Sequence, residues 1–310
     1  MTTPAPILSP WKTGRMDFTM KVAGIDHATR TLSVLISPDP RRYDKVVHDG
    51  KEWCRDKYLQ TLVSLDDMCQ AMHALPVYEL TPTIGSAARY AIERKLALDQ
   101  ELATGKYTPP QQRAKPHQQV ESDSSSRSIS FMSVDICGGT ALRKKDPGSF
   151  ERAHALFMRE LGTLVGQFHG TILSSTGDGF IACVDHPAFT SLCDATVDLG
   201  LSLLTVLQKS LNPALQRADI QPLNIRVGAD YGEMSIRKIE VPTTGFSKPE
   251  VASDALNRAV KIQESCDPNQ FRIGRDLYEL VHVQWLQRAT EVAFPGETVG
   301  ITEYQIYLMH

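Results

Sequence analysis

The chain has 310 residues, 42% of them hydrophobic, with 33 Lys or Arg against 36 Asp or Glu for a net charge of −3. That length buries at least one full core and favours two units over one, and the charge leaves no surplus of cations for a nucleic-acid face. No apolar run approaches the ~20 residues of a membrane span and the opening MTTPAPILSPWKTG has no signal-peptide core, so neither a membrane nor a nucleic-acid partner is expected and the location is taken as cytoplasmic.

The first third is an α/β region without a catalytic constellation. Phe18 to Ile36 alternates as two strands around a His-Ala-Thr-Arg turn, and Lys57 to Leu75 and Ile84 to Leu102 carry helical spacing. Asp26, His27, His48 and Cys54 are scattered, as befits surface or turn residues. The six cysteines, Cys54, Cys69, Cys137, Cys183, Cys193 and Cys266, include no CxxC pair and fit reduced thiols better than disulfides or a zinc site.

Residues 106–128, KYTPPQQRAKPHQQVESDSSSRS, are rich in Pro, Gln and Ser and read as a linker. They separate an N-terminal region, 1–105, from a second domain, 129–310. That domain opens with a strand at Ile129 to Asp135, a helix at Phe150 to Phe168, and strands at Thr171 to Ser174 and Phe180 to Val184 closing on Gly177-Asp178-Gly179. A helix at Phe189 to Leu211 and a strand at Leu223 to Ala229 follow, then a turn at Tyr231-Gly232 into a partner strand, Glu233 to Ile239. A helix from Asp254 to Glu264 and strands at Phe271 to Gly274 and Thr302 to Leu308 complete it. The leading order β-α-β-β-α-β predicts an α+β fold of ferredoxin-like topology.

In that topology the first and third strands are antiparallel neighbours, so Asp135, ending the first, should meet Asp178, just before the third. Two such carboxylates repel unless a cation neutralises them, and hard divalent ions shared with substrate phosphates take oxygen ligands of this kind. The backbone of Ile136, Cys137, Gly138, Gly139 and Thr140 could then approach an anion where the next helix begins. Taken singly, an Asp after a strand or a Gly-Asp-Gly is more often a turn residue; the joint placement carries the reading.

FMSVDICGGTAL, ILSSTGDGFIACV, IRVGADYGEM and SDALNRAVKI occur in the order and spacing of the class III nucleotide cyclase catalytic domain, which residues 128–308 resemble. The resemblance implies two Mg²⁺ or Mn²⁺ ions on Asp135, Asp178 and the Ile136 carbonyl, a nucleoside triphosphate substrate, and a head-to-tail homodimer whose sites are completed by the partner chain. It makes Asn257 the ribose-orienting residue. Lys261 stands where these enzymes usually carry a transition-state arginine; it shares a helix face with Asn257 but lacks the planar fork.

The purine-reading positions depart from the family pattern. Adenylate cyclases usually pair a lysine with an aspartate or threonine, and guanylate cyclases a glutamate with a cysteine; here Ser174 and Glu250 fall at or near those positions. The chain therefore resembles the pyrimidine cyclases of bacterial Pycsar antiphage defence, which implies a cyclic UMP or cyclic CMP product, UTP favoured, acting on a separate effector. The rival readings are an adenylate cyclase with altered specificity residues, a catalytically silent cyclase-fold module, and a ferredoxin-like RNA-binding domain, for which aromatic platforms and a basic face are lacking. A diguanylate cyclase would need a GGDEF-type hairpin, which this sequence does not have.

Overall fold

The computed structural model describes residues 15–29, 31–48, 50–66, 82–117, 127–185 and 188–310. Its contacts define two compact units, Met1–Tyr78 with Glu279–Gln287, and Glu79–Tyr278 with Arg288–His310.

In the first unit, β1 (Phe18–Asp26) and β2 (Thr31–Pro38) form the expected antiparallel hairpin, and β3 (Tyr43–His48), β4 (Lys51–Asp56) and β5 (Leu62–Ser64) form a three-stranded meander. The helix expected at Lys57 to Leu75 is not formed in its first part, because Leu62–Ser64 pairs with β4 and turns Val63 into a small core with Tyr43 and Cys54. The remainder of that expected helix, beyond residue 66, lies outside the described residues. Cys54 is a core residue rather than a surface one. The fully buried Arg42 is held by Asp56 (2.7 Å) and Asp17 (3.0 Å), an arrangement that satisfies its charge where water is absent.

The second unit begins earlier than the linker suggests. Helix α1 (Ala87–Thr104), capped by Ser86 and stopped by Gly105 at φ 73°, belongs to this unit and buries Tyr90, Ala91 and Leu98. Its Arg94 makes a two-pronged ion pair with Glu160. After α1, residues 106–117 run as an extended strap pinned to the second unit, and 118–126 lie outside the described residues.

The main sheet has the strand order 289–292, 306–309, 270–274, 225–241, 127–136, 180–184 and 170–175. At its heart β6 (Arg127–Ile136) is antiparallel to both β8 (Phe180–Val184) and β9 (Ile225–Val241), with β7 (Gly170–Ser175) outside β8. This is the ferredoxin-like arrangement, with α3 (Pro147–Gln167) and α4 (Phe189–Val206) as crossovers and the short α2 (Gly139–Lys145) between β6 and α3. β6 is buried at every position from Ile129 to Val134, Ser130 and Ser133 included, because it lies centrally in the sheet. α3 starts at Asp146, which accepts from the Ser149 N–H, with Pro147 at its first position. α4 continues past the expected end through a π turn at Leu207–Leu211 into α5 (Asn212–Arg217), since Pro213 has no N–H to continue regular bonding. Within the helical stretch Thr190–Arg217 an 18-residue window is apolar enough to span a membrane by composition (mean hydropathy 1.4), yet 61% of that window is buried inside the protein, as in a core helix.

The turn expected at Tyr231-Gly232 is absent. β9 runs unbroken for 17 residues, with Tyr231 and Gly232 paired to Ser130 and Ile129 of β6. Gly232 serves a close approach instead: a Cβ there would lie 2.8 Å from the Ala255 Cβ on α6 (Asp254–Glu264). The hairpin partner of β9 is β10 (Phe246–Ala252), entered through Gly245 at φ 71°. β11 (Gln270–Gly274) lies parallel to β9 and is followed by α7 (Arg275–Tyr278); α8 (Val283–Leu286) belongs to the first unit. β12 (Ala289–Val292) and β13 (Ile306–Met309) finish the sheet, β13 being shorter than expected because Tyr304 turns its hydroxyl to Asp230.

Candidate active site

β6 ends in Asp135-Ile136, and its register pairs Val134 with Phe180. The end of the first strand therefore meets the start of the third just after Asp178-Gly179, as the topology predicts. Two glycines make the approach possible. A Cβ on Gly179 would strike the Val134 carbonyl and lie 2.9 Å from the Asp135 Cα, while a Cβ on Gly139 would take the place of the Asp178 carboxylate oxygen. The Asp178 carboxylate thus lies over the first residue of α2, close enough to Asp135 for the two carboxyl groups to interact.

Burial pushes the Asp135 carboxyl up, Arg226 pulls it down through a hydrogen bond, and the charge of Asp178 pushes it up again. The Arg226 guanidinium on β9 donates to Asp135 Oδ2 at 2.6 Å and reaches the Glu264 carbonyl at 3.4 Å. Sequence reasoning passed over Arg226; its only signal was its place two residues before the glycine of IRVGADYGEM.

The donor set suits a hard divalent cation. Among the described residues no cluster of three or more His, Cys, Asp or Glu could hold a metal alone. The charge of Asp178 raises the proton affinity of Asp135, so one arginine leaves the adjoining carboxylates incompletely neutralised, and an ion completing its shell from backbone carbonyl, water and substrate phosphate fits that deficit.

Gly138 turns the chain at φ 67° into α2. The Ala141 and Leu142 N–H groups fold back on the Gly138 carbonyl, and the N–H groups of Gly139 and Thr140 open the first helical turn, where no intrahelical acceptor exists. The Cys137 N–H is committed to the Asn224 carbonyl at 2.8 Å, which removes it from the expected anion loop. Burial raises the Cys137 thiol, so it is not an activated nucleophile. Cys54, Cys137, Cys183, Cys193 and Cys266 are free thiols; Cys69 lies outside the described residues.

Ser174 and Glu250, far apart in sequence, line one cleft of about 500 Å³ between the β7–β8 hairpin and the β9–β10 arm. Ile172, Ile181, Ile236 and Leu256 supply apolar walls, and Lys248 and His117 are further polar members. Asn257 and Lys261 lie one turn apart on α6, whose cap Ser253 accepts from the Leu256 N–H. Lys261 pairs with Glu264 at 2.9 Å, and among the described residues no hydrogen bond or ion pair joins Asn257 or Lys261 to Asp135 or Asp178.

Beside Asn257 lies a network that sequence reasoning missed. Arg258 donates to the fully buried Asp230 and to Asp276, with its guanidinium 4.9 Å from the Tyr304 ring centre. Asp230 also accepts from the Tyr304 hydroxyl (2.8 Å) and the Tyr231 N–H (2.9 Å). Burial pushes the Asp230 carboxyl up to about 6 against the pull of Arg258, so at neutral pH the pair is ionised.

Residues 121–308 match the adenylate and guanylate cyclase catalytic domain, more than half of the chain, and the protein belongs to that family of class III nucleotide cyclases. Members of the class bind a nucleoside triphosphate, generally use divalent ions such as Mg²⁺ or Mn²⁺, and commonly form dimers. Among solved structures, the adenylyl cyclase CyaB from P. aeruginosa is similar with a TM-score of 0.51 at 17% identity, over 60% of this chain and 95% of that one. A bacterial light-regulated adenylyl cyclase gives 0.51 at 13% identity, over 60% of this chain and 53% of that one. The guanylate cyclase domain of RhGC from Catenaria anguillulae gives 0.49 at 12%, over 60% and 98%. At such identities the likeness is one of fold. No curated protein matches the chain.

Proposed function

We propose that this cyclase acts on a pyrimidine nucleotide, converting UTP in preference to CTP to the 3′,5′-cyclic monophosphate and pyrophosphate. The observation that carries this reading is that Ser174 and Glu250 share one cleft, and that these two positions carry neither the lysine-containing pair of adenylate cyclases nor the glutamate–cysteine pair of guanylate cyclases. Glu250 accepts hydrogen bonds and suits a ring N–H or amino group; Ser174 both donates and accepts.

Asp135, Asp178 and the Ile136 carbonyl would hold two Mg²⁺ or Mn²⁺ ions, whose contribution when bound is to acidify the ribose 3′-hydroxyl and offset charge on the triphosphate. The 3′-oxygen bonds to the α-phosphorus as the bond to the β-phosphate bridging oxygen breaks, and pyrophosphate leaves. Asp135 takes the 3′ proton at a carboxylate oxygen, and the Gly138, Gly139 and Thr140 backbone cradles phosphate oxygens. Asn257 orients the ribose and Lys261 meets the charge developing on the transferring phosphoryl group, both from the second copy of a head-to-tail homodimer.

The role implied is that of a cytoplasmic second-messenger synthase of the Pycsar type, signalling to a separate effector in antiphage defence, with the region before the linker free to take up a regulatory part. A cleft of about 500 Å³ also has room for a purine, and an adenylate cyclase is the competing reading. The test is incubation of the full chain with ATP, GTP, CTP and UTP separately, in Mg²⁺ and in Mn²⁺, with products identified by mass spectrometry. A cyclic pyrimidine nucleotide is expected; cyclic AMP as the main product would replace this reading with the competing one.

A further inference from the structure

We propose that His117, delivered by the strap of residues 106–117, is a specificity-determining residue of the nucleotide cleft; the proposal rests on the reading of that cleft as the base site. The strap is anchored at several points from Tyr107 to Lys115. The Arg94 guanidinium donates to the Thr108 carbonyl at 2.8 Å, and the Arg159 guanidinium lies 4.2 Å from the Tyr107 ring centre. Thr83 Oγ1 donates to the Arg113 carbonyl (2.8 Å), Gln167 Nε2 to the Gln112 carbonyl (3.3 Å), and the Lys115 N–H to the Gly166 carbonyl (2.9 Å).

Gly166 is what lets the strap lie so close to α3. A Cβ at that position would stand 3.0 Å from the Ala114 Cβ and 3.1 Å from the Lys115 carbonyl oxygen. Two residues beyond Lys115, His117 lines the same cleft as Ser174, Lys248 and Glu250.

The chemistry of these four groups differs in a way that makes the imidazole informative. Lys248 only donates and Glu250 only accepts, while a neutral imidazole offers one donor and one acceptor at fixed positions on a flat ring. Bases differ in the order of donors and acceptors along their edges, so a group carrying both, on an anchored backbone, can discriminate where a long lysine side chain adapts to either order. Since the strap follows directly on α1, base selection depends on a segment outside the β-α-β-β-α-β core.

The test measures equilibrium binding of the 3′-deoxy forms of UTP, CTP, ATP and GTP, which lack the attacking hydroxyl, to the full chain in Mg²⁺. Wild type is compared with His117→Ala, His117→Gln and Gly166→Leu. Wild type is expected to prefer one base at least about tenfold, the scale of one good hydrogen bond. His117→Ala should collapse that ratio at least about fivefold, and Gly166→Leu, which lifts the strap without altering the cleft's own residues, should do the same. His117→Gln should keep part of it. An unchanged ratio in His117→Ala, an equal loss for all four nucleotides, or equal binding of all four by wild type overturns the proposal. Selective binding with no cyclic product from the natural nucleotides would overturn the enzymatic reading alone, His117 still being decided by the ratio; no binding at all would overturn both.

Discussion

Arg226 faces Asp135 across the β6–β9 register and is joined to it by an ion pair of 2.6 Å. A guanidinium thus occupies one of the two carboxylates that the proposed cation would need. The two compete, and Arg226→Met should tighten Mn²⁺ binding to the full chain roughly threefold, the scale of a partly exposed ion pair. Calorimetric titration with Mn²⁺ measures it; unchanged affinity would make the pair a purely structural tie between β6 and β9.

At Gly139 no side chain fits, because the Asp178 carboxylate lies where a Cβ would project. Gly139→Ala should displace that carboxylate and lower metal-dependent turnover at least about a hundredfold, since each 1.4 kcal/mol of lost charge stabilisation is roughly tenfold. The melting temperature should change little, because the carboxylate can swing outward. Retention of full activity would mean that Asp178 is not placed by this contact.

The Asp230–Arg258 pair makes a pH-dependent prediction. Burial raises the folded-state value of Asp230 to about 6, above its ordinary range near 4, so the folded protein holds that proton more tightly than the unfolded chain. Its contribution to stability is therefore full below about pH 4 and is lost as pH rises through 6. Arg258→Met removes the neighbouring cation and pushes Asp230 higher still. The variant should lose about 3 kcal/mol at pH 7.5, as for an uncompensated buried charge, and distinctly less at pH 5, where the carboxyl is protonated. Urea unfolding at both pH values checks this; an equal loss at each would show that Asp230 does not titrate there.

If the sites are composite, two inactive chains should rescue one another. Asp178→Ala and Asn257→Ala are each expected to be inactive as homodimers. An equal mixture, after subunit exchange, should recover roughly a quarter of wild-type activity, since half the dimers are mixed and each holds one intact site. Mixed dimers that form but show no turnover would refute the head-to-tail arrangement.

The convergence of Asp135 and Asp178 is legible in the sequence because each half is a local event, a strand running into Asp-Ile-Cys-Gly-Gly and a hairpin closing on Gly-Asp-Gly, and the topology then joins them. Arg226 is not, since its partner is chosen by a register between strands 91 residues apart. Tyr231-Gly232 imitates a turn, yet the glycine there makes room for α6, a reason that exists only once the helix is packed. The strand Leu62–Ser64 imitates the start of a helix because three residues carry too little periodicity to reveal which neighbour they will join. Arg258, Asp230 and Tyr304 come from a helix, a strand and the loop before β13, and nothing local announces their meeting.

β9 is longer than the sheet that contains it. Its first ten residues, Ile225 to Met234, pair with β6 beneath the carboxylates, whereas Ser235 to Val241 pair only with β10 in a two-stranded arm that carries Glu250 and Lys248. The proposed base-reading surface is thus an outrigger on the catalytic frame. Substitutions on the arm can retune nucleotide choice while the frame keeps its shape, which makes substrate preference in this protein separable from its chemistry.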